Sequence, residues 1–305
     1  MCPRKPYCKK FIYKPYLERI KYLVRLPNHK KINELALIGT HSSFSYDVND
    51  EKSKTQDMNI QQQLKYGVRV FDIGIRSKSN SFEIYSNDVA TNINFEDALL
   101  YIDNFLDNNP GEFIILFIRQ VYLLRYEITQ QNCHILNFYK RNFVSGRRLV
   151  KNWQLTDTIG QHRGKILLAS LDYSFYDCTL ILRRKCLLQN DDVIYENKKL
   201  LHNLTAKWIS VYKTIQASYS ENYECYINDI SFWDGINSPR IIARDGDYKE
   251  DKNRCPIPLN YMMAQFFENP HFKLTIVMAD FPPQELIDKV NDGNFPNSSW
   301  RSGWE

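Results

Sequence analysis

A row of short apolar runs, spaced so that helices fit between them, constrains this chain more than any other feature. The runs are LALIGTH (35–41), RVFDIGIRS (69–77), SFEIYS (81–86), EFIILFIRQ (112–120), KILLASLDY (165–173), CYINDISFW (225–233) and KLTIVMADF (273–281). Near-continuous apolar character over so few residues predicts strands covered on both faces, as in a parallel sheet. The intervening patterns NIQQQLKYG (59–67), NFEDALLYIDNFLDNNP (94–110), QNCHILNFYKRNF (131–143), IPLNYMMAQFFENP (257–270) and PPQELIDKVND (283–292) have helical spacing. Asn94 is placed to cap the second of these, and Asn109-Pro110 to end it. Residues 186–222 read as helix-rich without a clear boundary. Strand–helix–strand units repeated along most of the 305 residues predict an α/β fold, with a TIM-type (β/α) barrel the economical closure.

Charge is unevenly distributed. Residues 1–30 carry nine Lys or Arg against the single acid Glu18, whereas the whole chain is only +5, so the remainder is mildly acidic. A basic N-terminal arm of this kind suits an anionic membrane or docking on a neighbouring copy, and nucleic acid is the partner least expected. The reading is therefore an arm (1–30), a barrel (31–292) and an aromatic tail (293–305) holding Trp300 and Trp304. No apolar run approaches the ~18 residues that cross a bilayer. The basic start leads into no apolar signal-peptide core, which predicts an intracellular chain of the cytoplasm or nucleus, with reduced thiols. Seven cysteines (Cys2, Cys8, Cys133, Cys178, Cys186, Cys225 and Cys255) form no C-x-x-C pair, so no zinc site is expected, and the odd count leaves a thiol for intermolecular bonding. The 20 tyrosines against 11 glycines suit an AT-rich coding genome, as in some parasites, low-GC bacteria and large DNA viruses.

The motifs at the strand ends resemble the X region of phosphatidylinositol-specific phospholipases C, bacterial and X-domain-only kinds above all. LIGTHSSFSYD is similar to that family's Gly-Thr-His-Asp-Ser strand end, and TQDMNIQQQLKYGVRVFDIGIR to its Thr-Gln, helix and aromatic-Asp strand. NFEDALLYIDNFLDNNPGEFIILFI resembles its helix, Asn-Pro turn and buried strand; HRGKILLASLDY, CYINDISFWDGINSP and IVMADFPPQELIDKV resemble later strands. The resemblance covers roughly residues 30–292 and implies an irregular (β/α) barrel with its site at the C-terminal strand ends.

In that family an inositol 2-hydroxyl attacks the adjacent phosphodiester and expels diacylglycerol. The displacement needs a base, a cation for the phosphate and an acid for the leaving oxygen. The resemblance makes His41 the base, Asp280 the carboxylate orienting it, Asp72 a further site carboxylate and Arg119 the basic residue near the inositol hydroxyls. Three positions depart from the pattern: Ser42 replaces an Asp, Gly74 replaces the phosphate-binding Arg, and Ser86 replaces the second His. Arg76 lies on the same strand face as Gly74, one pleat further on, and is the candidate substitute cation. Losing a general acid costs ~10²–10⁴ in rate, and losing a main charge stabiliser ~10²–10³. A calcium route would need several oxygen ligands, with Asp72, Glu83 and Asp88 the candidates; otherwise no cofactor or metal is expected. Trp208 and Trp233 are expected in the core.

The reading favoured by the sequence is a phospholipase-C-like barrel with a decayed catalytic set, self-associating or forming a structural assembly through its arm, tail or cysteines. A viral coat or occlusion-type protein fits that description. The alternatives are a phosphodiesterase cleaving phosphatidylinositol with a rearranged site, and a module binding an inositol-phosphate headgroup without turnover.

Overall fold

The computed structural model describes residues 18–121, 129–189, 200–220, 222–246, 257–267 and 276–295. Among the described residues eleven strands form one sheet: β1 (Leu37–Thr40), β2 (Val70–Lys78), β3 (Ser81–Ser86), β4 (Val89–Asn94), β5 (Ile114–Gln120), β6 (Leu149–Val150), β7 (Ile166–Ser170), β8 (Leu180–Ile181), β9 (Cys186–Gln189), β10 (Cys225–Asp229) and β11 (Ile276–Ala279). The helices are α1 (Ile60–Tyr66), α2 (Phe95–Asn108), α3 (Thr129–Asn142), α4 (Ile159–His162), α5 (Leu200–Ala217), α6 (Leu259–Phe266) and α7 (Gln284–Asp292). Along the order β6-β7-β5-β2-β1-β11-β10-β9 every neighbouring pair is parallel, while the β3–β4 hairpin extends antiparallel from β2 and β8 adds to β7. The result is an irregular (β/α) barrel. Among the described residues no ladder joins β9 to β6 or β8; the 3-10 turn Leu182–Arg184 instead packs against both β7 and β9.

Strand alternation sorts the apolar runs into two layers. Leu37, Val70, Ile115, Phe117, Leu167, Ala169, Ile227 and Met278 pack together inside the barrel. Their neighbours Ile38, Phe71, Ile73, Ile114, Leu116, Ile166, Leu168 and Val277 pack outward with Leu64, Leu99, Ile102 and Leu286 of the helices. The interior is tight enough at Gly39 that a Cβ there would collide with Met278 and Val70. Helix ends follow local chemistry. Asn59 and Gln62 cap α1 reciprocally, Gly67 stops it at φ 104°, and Asn94 Oδ1 accepts the Asp97 N–H at 2.8 Å to start α2.

The stretch 186–222, unassigned from sequence, holds strand β9 and helix α5. Its boundary is hidden because β9 is only four residues long. The strands β4, β6 and β8 were not anticipated either; each is brief or lies on an exposed edge. The expectation of reduced thiols is corrected, since Cys133 is disulfide-bonded to Cys178 and Cys186 to Cys225. Cys2, Cys8 and Cys255, the arm's residues 1–17 and the tail's residues 296–305 lie outside the described residues. Residues 18–30 of the basic segment pack on the barrel base through buried Tyr22, Leu23 and Leu26, with Arg19 hydrogen-bonded to Asp288 at 2.8 Å.

The base is organised around Arg69, which is fully buried. Its Nε donates to Glu112 Oε2 at 2.9 Å, its Nη1 to the Leu64 and Val68 carbonyls, and its Nη2 to the Arg19 and Ile20 carbonyls. The rings of Tyr22 and Phe105 cover the guanidinium at 5.1 and 4.8 Å. Glu112→Gln is expected to lower stability by about 3–5 kcal/mol, because it leaves a buried charge without its partner. Arg69→Met combined with Glu112→Leu, which strands no charge, should recover most of that loss. Urea unfolding midpoints of the three chains check this.

Candidate functional site

The pairing of β1 with β11 sets Thr40 beside Ala279, so the next residues on the two strands meet: His41 Nδ1 lies 2.9 Å from Asp280 Oδ1. The residue after each adopts left-handed backbone, with φ 42° at both Ser42 and Phe281. Non-glycine residues there cost roughly 1–3 kcal/mol each and persist only where surroundings hold them. Thr55 and Gln56 supply that hold. Thr55 Oγ1 and Gln56 Nε2 each donate to the His41 carbonyl at 2.8 Å, and the Phe281 N–H donates to the Thr55 carbonyl at 2.8 Å. Asn260 Nδ2 donates to the carbonyls of Asp280 and Phe281. The Thr-Gln motif is thus a backbone clamp beneath the histidine.

A second ion pair stands beside the first. Arg119 Nε donates to both oxygens of Asp72 (3.0 and 3.2 Å), while its Nη2 donates to Ser42 Oγ at 2.9 Å. The Ser42 N–H donates to Asp72 Oδ2 at 2.9 Å, and His41 Nε2 lies 3.5 Å from Ser42 Oγ and 4.0 Å from Asp72 Oδ2. Burial pushes the His41 imidazole down. The charge and hydrogen bond of Asp280, with Asp72 and Asp229 behind them, push it further up, to about 9. Burial raises Asp72, but the Arg119 and His41 charges outweigh it and hold that carboxyl below its usual range. Asp280 is held above the usual range by burial, against the opposing pull of His41. The pairing with Asp280 therefore favours the imidazolium form of His41 at neutral pH.

A cavity of about 330 Å³ opens over these groups, within the range of small-ligand sites. Its rim is lined by His41, Asp72, Arg119, Asp172, Arg183, Gln189, Asp229 and Ser231, over an apolar floor that includes Phe117, Ile227 and Met278. Asp172 accepts the Ser174 N–H at 2.8 Å and Asp229 the Ser231 N–H at 2.9 Å, which fixes both carboxylates. Arg183 is exposed and makes no ion pair or hydrogen bond among the described residues.

Of the residues singled out from sequence, His41, Asp280, Asp72 and Arg119 come together and Arg76 does not join them. Its guanidinium lies over the Tyr85 ring at 4.0 Å and 3.8 Å from Asp88, and it is not among the residues lining the cavity. A Cβ at Gly74 would come within 2.7 Å of the Tyr85 carbonyl and 2.6 Å of Val121, and Arg119 Nη1 stands 3.3 Å away. Ser86 is buried and donates to the Ser53 carbonyl. The three oxygen ligands considered for calcium do not converge: Glu83 pairs with Lys78, Asp88 with Arg76 and Asp72 with Arg119. Among the described residues no group of three His, Cys, Asp or Glu side chains is placed to hold a metal ion. Trp208 packs half-buried on the core as expected, but Trp233 is exposed, with Lys52 Nζ over its ring at 5.9 Å. Sequence reading missed Asp172, Arg183, Gln189, Asp229 and Ser231. Asp172 and Asp229 end or follow apolar runs as Asp280 does, and that shared signal was available; Arg183 and Gln189 lie where no periodic pattern marks an element.

A barrel with charged side chains at the C-terminal strand ends and an open cavity above them is an α/β barrel with its site where that architecture places one. The model of the phosphatidylinositol-specific phospholipase C X domain matches residues 39–170, and the chain is homologous to bacterial phosphatidylinositol-specific phospholipases C. It is 26% identical over 287 residues to a 1-phosphatidylinositol phosphodiesterase of Listeria monocytogenes, covering 90% of this chain and 84% of that one. It is 30% identical over 147 residues to human PI-PLC X domain-containing protein 2, covering 38% of this chain and 47% of that one. Among solved structures, the phosphatidylinositol-specific phospholipase C of Listeria monocytogenes superposes with a TM-score of 0.68 at 21% identity, over 91% of this chain and 99% of that one. A Staphylococcus aureus counterpart gives 0.72 at 18% identity, over 91% and 98%.

The His41 ion pair has a defined pH signature. Its folded value of about 9 exceeds the ~6.5 of an unfolded histidine. Its stabilisation is therefore fully present below the unfolded value and is lost as pH rises through the folded one. NMR titration of the His41 ring should find a midpoint near 9, and Asp280→Asn should move it well below that. Denaturant midpoints should fall from about pH 6.5 to pH 9 in the parent, and less in the variant.

Proposed function

We propose that this chain binds an inositol-phosphate headgroup at its strand ends without cleaving it by the family's route. The observation that carries this reading is Ser86: at the position of the second histidine stands a buried hydroxyl already committed to the Ser53 carbonyl, so the second acid of the family's route has no counterpart there. Gly74 removes the phosphate arginine, and the remaining cation beside it, Arg119, is neutralised by Asp72. What persists suits recognition. Asp172 and Asp229 present acceptors for ring hydroxyls, Arg183 offers a guanidinium without an internal partner for phosphate, and Phe117, Ile227 and Met278 form an apolar floor.

The surroundings of the cavity support contact with an anionic membrane. Tyr173, Tyr176, Trp233 and Ile236 are exposed on loops that follow strands β7 and β10, alongside Lys52 and Arg184. Aromatic and basic residues together favour the lipid–water interface. Self-association through residues 1–17 of the arm, the tail residues 296–305 or Cys2, Cys8 and Cys255 concerns segments outside the described residues, and a viral coat or occlusion role rests on that same self-association together with composition.

Vesicle assays test this. The chain should sediment with vesicles containing phosphatidylinositol and much less with phosphatidylcholine alone, and should release no inositol phosphate, with or without calcium. Arg183→Ala should weaken headgroup binding about tenfold, the worth of one charge-assisted hydrogen bond. Release of inositol phosphate that disappears in His41→Ala would overturn the reading in favour of a phosphodiesterase.

A further inference from the structure

The gap in the barrel wall between β7 and β9 is spanned by residues 178–186, and both ends of this strap are cysteines in disulfides. Cys178 is joined to Cys133 of α3, and Cys186 to Cys225 of β10, across sequence separations of 45 and 39. All four sulfur-bearing residues are buried, and every cysteine among the described residues belongs to one of these two pairs. Between them lie β8 and the 3-10 turn Leu182–Arg184, which brings Arg183 to the cavity wall.

The strap's other ties lie mostly at its ends. Thr179 hydrogen-bonds the Phe175 carbonyl, strand β8 pairs Leu180 and Ile181 with Ala169 and Ser170, and Leu182 is buried in the barrel interior. Arg184 lies over the Tyr173 and Tyr176 rings, and the Glu224 N–H donates to the Lys185 carbonyl. Strand β9 is itself the edge of the ladder among the described residues, held on one side by β10. Arg183, between these ties, has no hydrogen bond or ion pair of its own among the described residues, and covalent closure at both ends adds to what holds it in place.

We propose that these two disulfides form a staple that positions Arg183, so that the cavity is complete only in an oxidised chain. The ligand side of this inference rests on the headgroup-binding reading; the staple does not. In each closure two cysteine thiols lose two protons and two electrons to an external disulfide, such as oxidised glutathione, which leaves as two thiols. The cross-links then remove open conformations of the strap that a reduced chain samples. Arg183 is a positioning target here, and the cysteines act through it.

The test compares the full chain, purified with oxidised glutathione, with Cys178→Ser/Cys186→Ser, and with Cys133→Ser and Cys225→Ser, which keep the strap sequence intact while opening one staple each. Peptide mapping without reduction should return the pairs Cys133–Cys178 and Cys186–Cys225. Hydrogen exchange at residues 179–188 should be about tenfold faster in the double variant and intermediate in the single ones, while β1, β2 and β5 stay protected. Affinity for inositol 1-phosphate should fall about tenfold in the double variant. Free thiols at these four positions, another pairing, or equal exchange of the strap in all chains would overturn the proposal. If the exchange difference appears but no chain binds inositol 1-phosphate, the staple stands and the headgroup reading falls.

Discussion

The Arg69–Glu112 pair, sealed in the barrel base, is the interaction on which the rest of the molecule leans. Arg69 immediately precedes β2 and Glu112 stands just ahead of β5, so their contact fixes where two central strands leave the base. From there the ladder carries Val70 beside Ile115, Asp72 beside Phe117 and Gly74 beside Arg119. Arg119 therefore emerges at the far end one pleat beyond Asp72 and folds back onto it. An error of one residue at the base would turn both charges onto the helical layer. The same arginine holds the carbonyls of Arg19 and Ile20, which makes the N-terminal segment part of the barrel floor.

At the opposite end the electrostatics are closed on themselves. His41 with Asp280 and Arg119 with Asp72 form two balanced pairs, linked by Ser42, which accepts from Arg119 and donates its N–H to Asp72. Paired in this way, the four groups form a fixed array of donors and acceptors beneath the cavity. Ser42 and Gly74 both fit the position of Arg119, whose Nη2 donates to Ser42 Oγ and whose Nη1 stands 3.3 Å from where a Cβ on Gly74 would lie.

Much of this was legible in the sequence, for reasons that can be named. Apolar runs such as EFIILFIRQ announce strands because a strand buried on both faces leaves no polar alternation to confuse the reading. His41, Asp280, Asp72 and Arg119 were all found through the family resemblance of the motifs that carry them. Arg183 was not found, because it sits on a single 3-10 turn whose position depends on disulfides and on a gap in the barrel, neither of which has a local pattern. Arg76 was over-weighted for a related reason. Alternation gives the face a side chain leaves from but not what captures it, and here Tyr85 and Asp88 do so.

Gly74 limits what a substitution at this strand end can add. A Cβ there would meet the Tyr85 carbonyl, Val121 and the Arg119 guanidinium, so a longer side chain finds no room unless its neighbours move. An arginine introduced at this position alone would require the hairpin strand β3, Val121 and Arg119 to yield at once. The strand end is in this sense mechanically coupled: a further cation over β2 can be gained only by repacking the hairpin and its neighbours together.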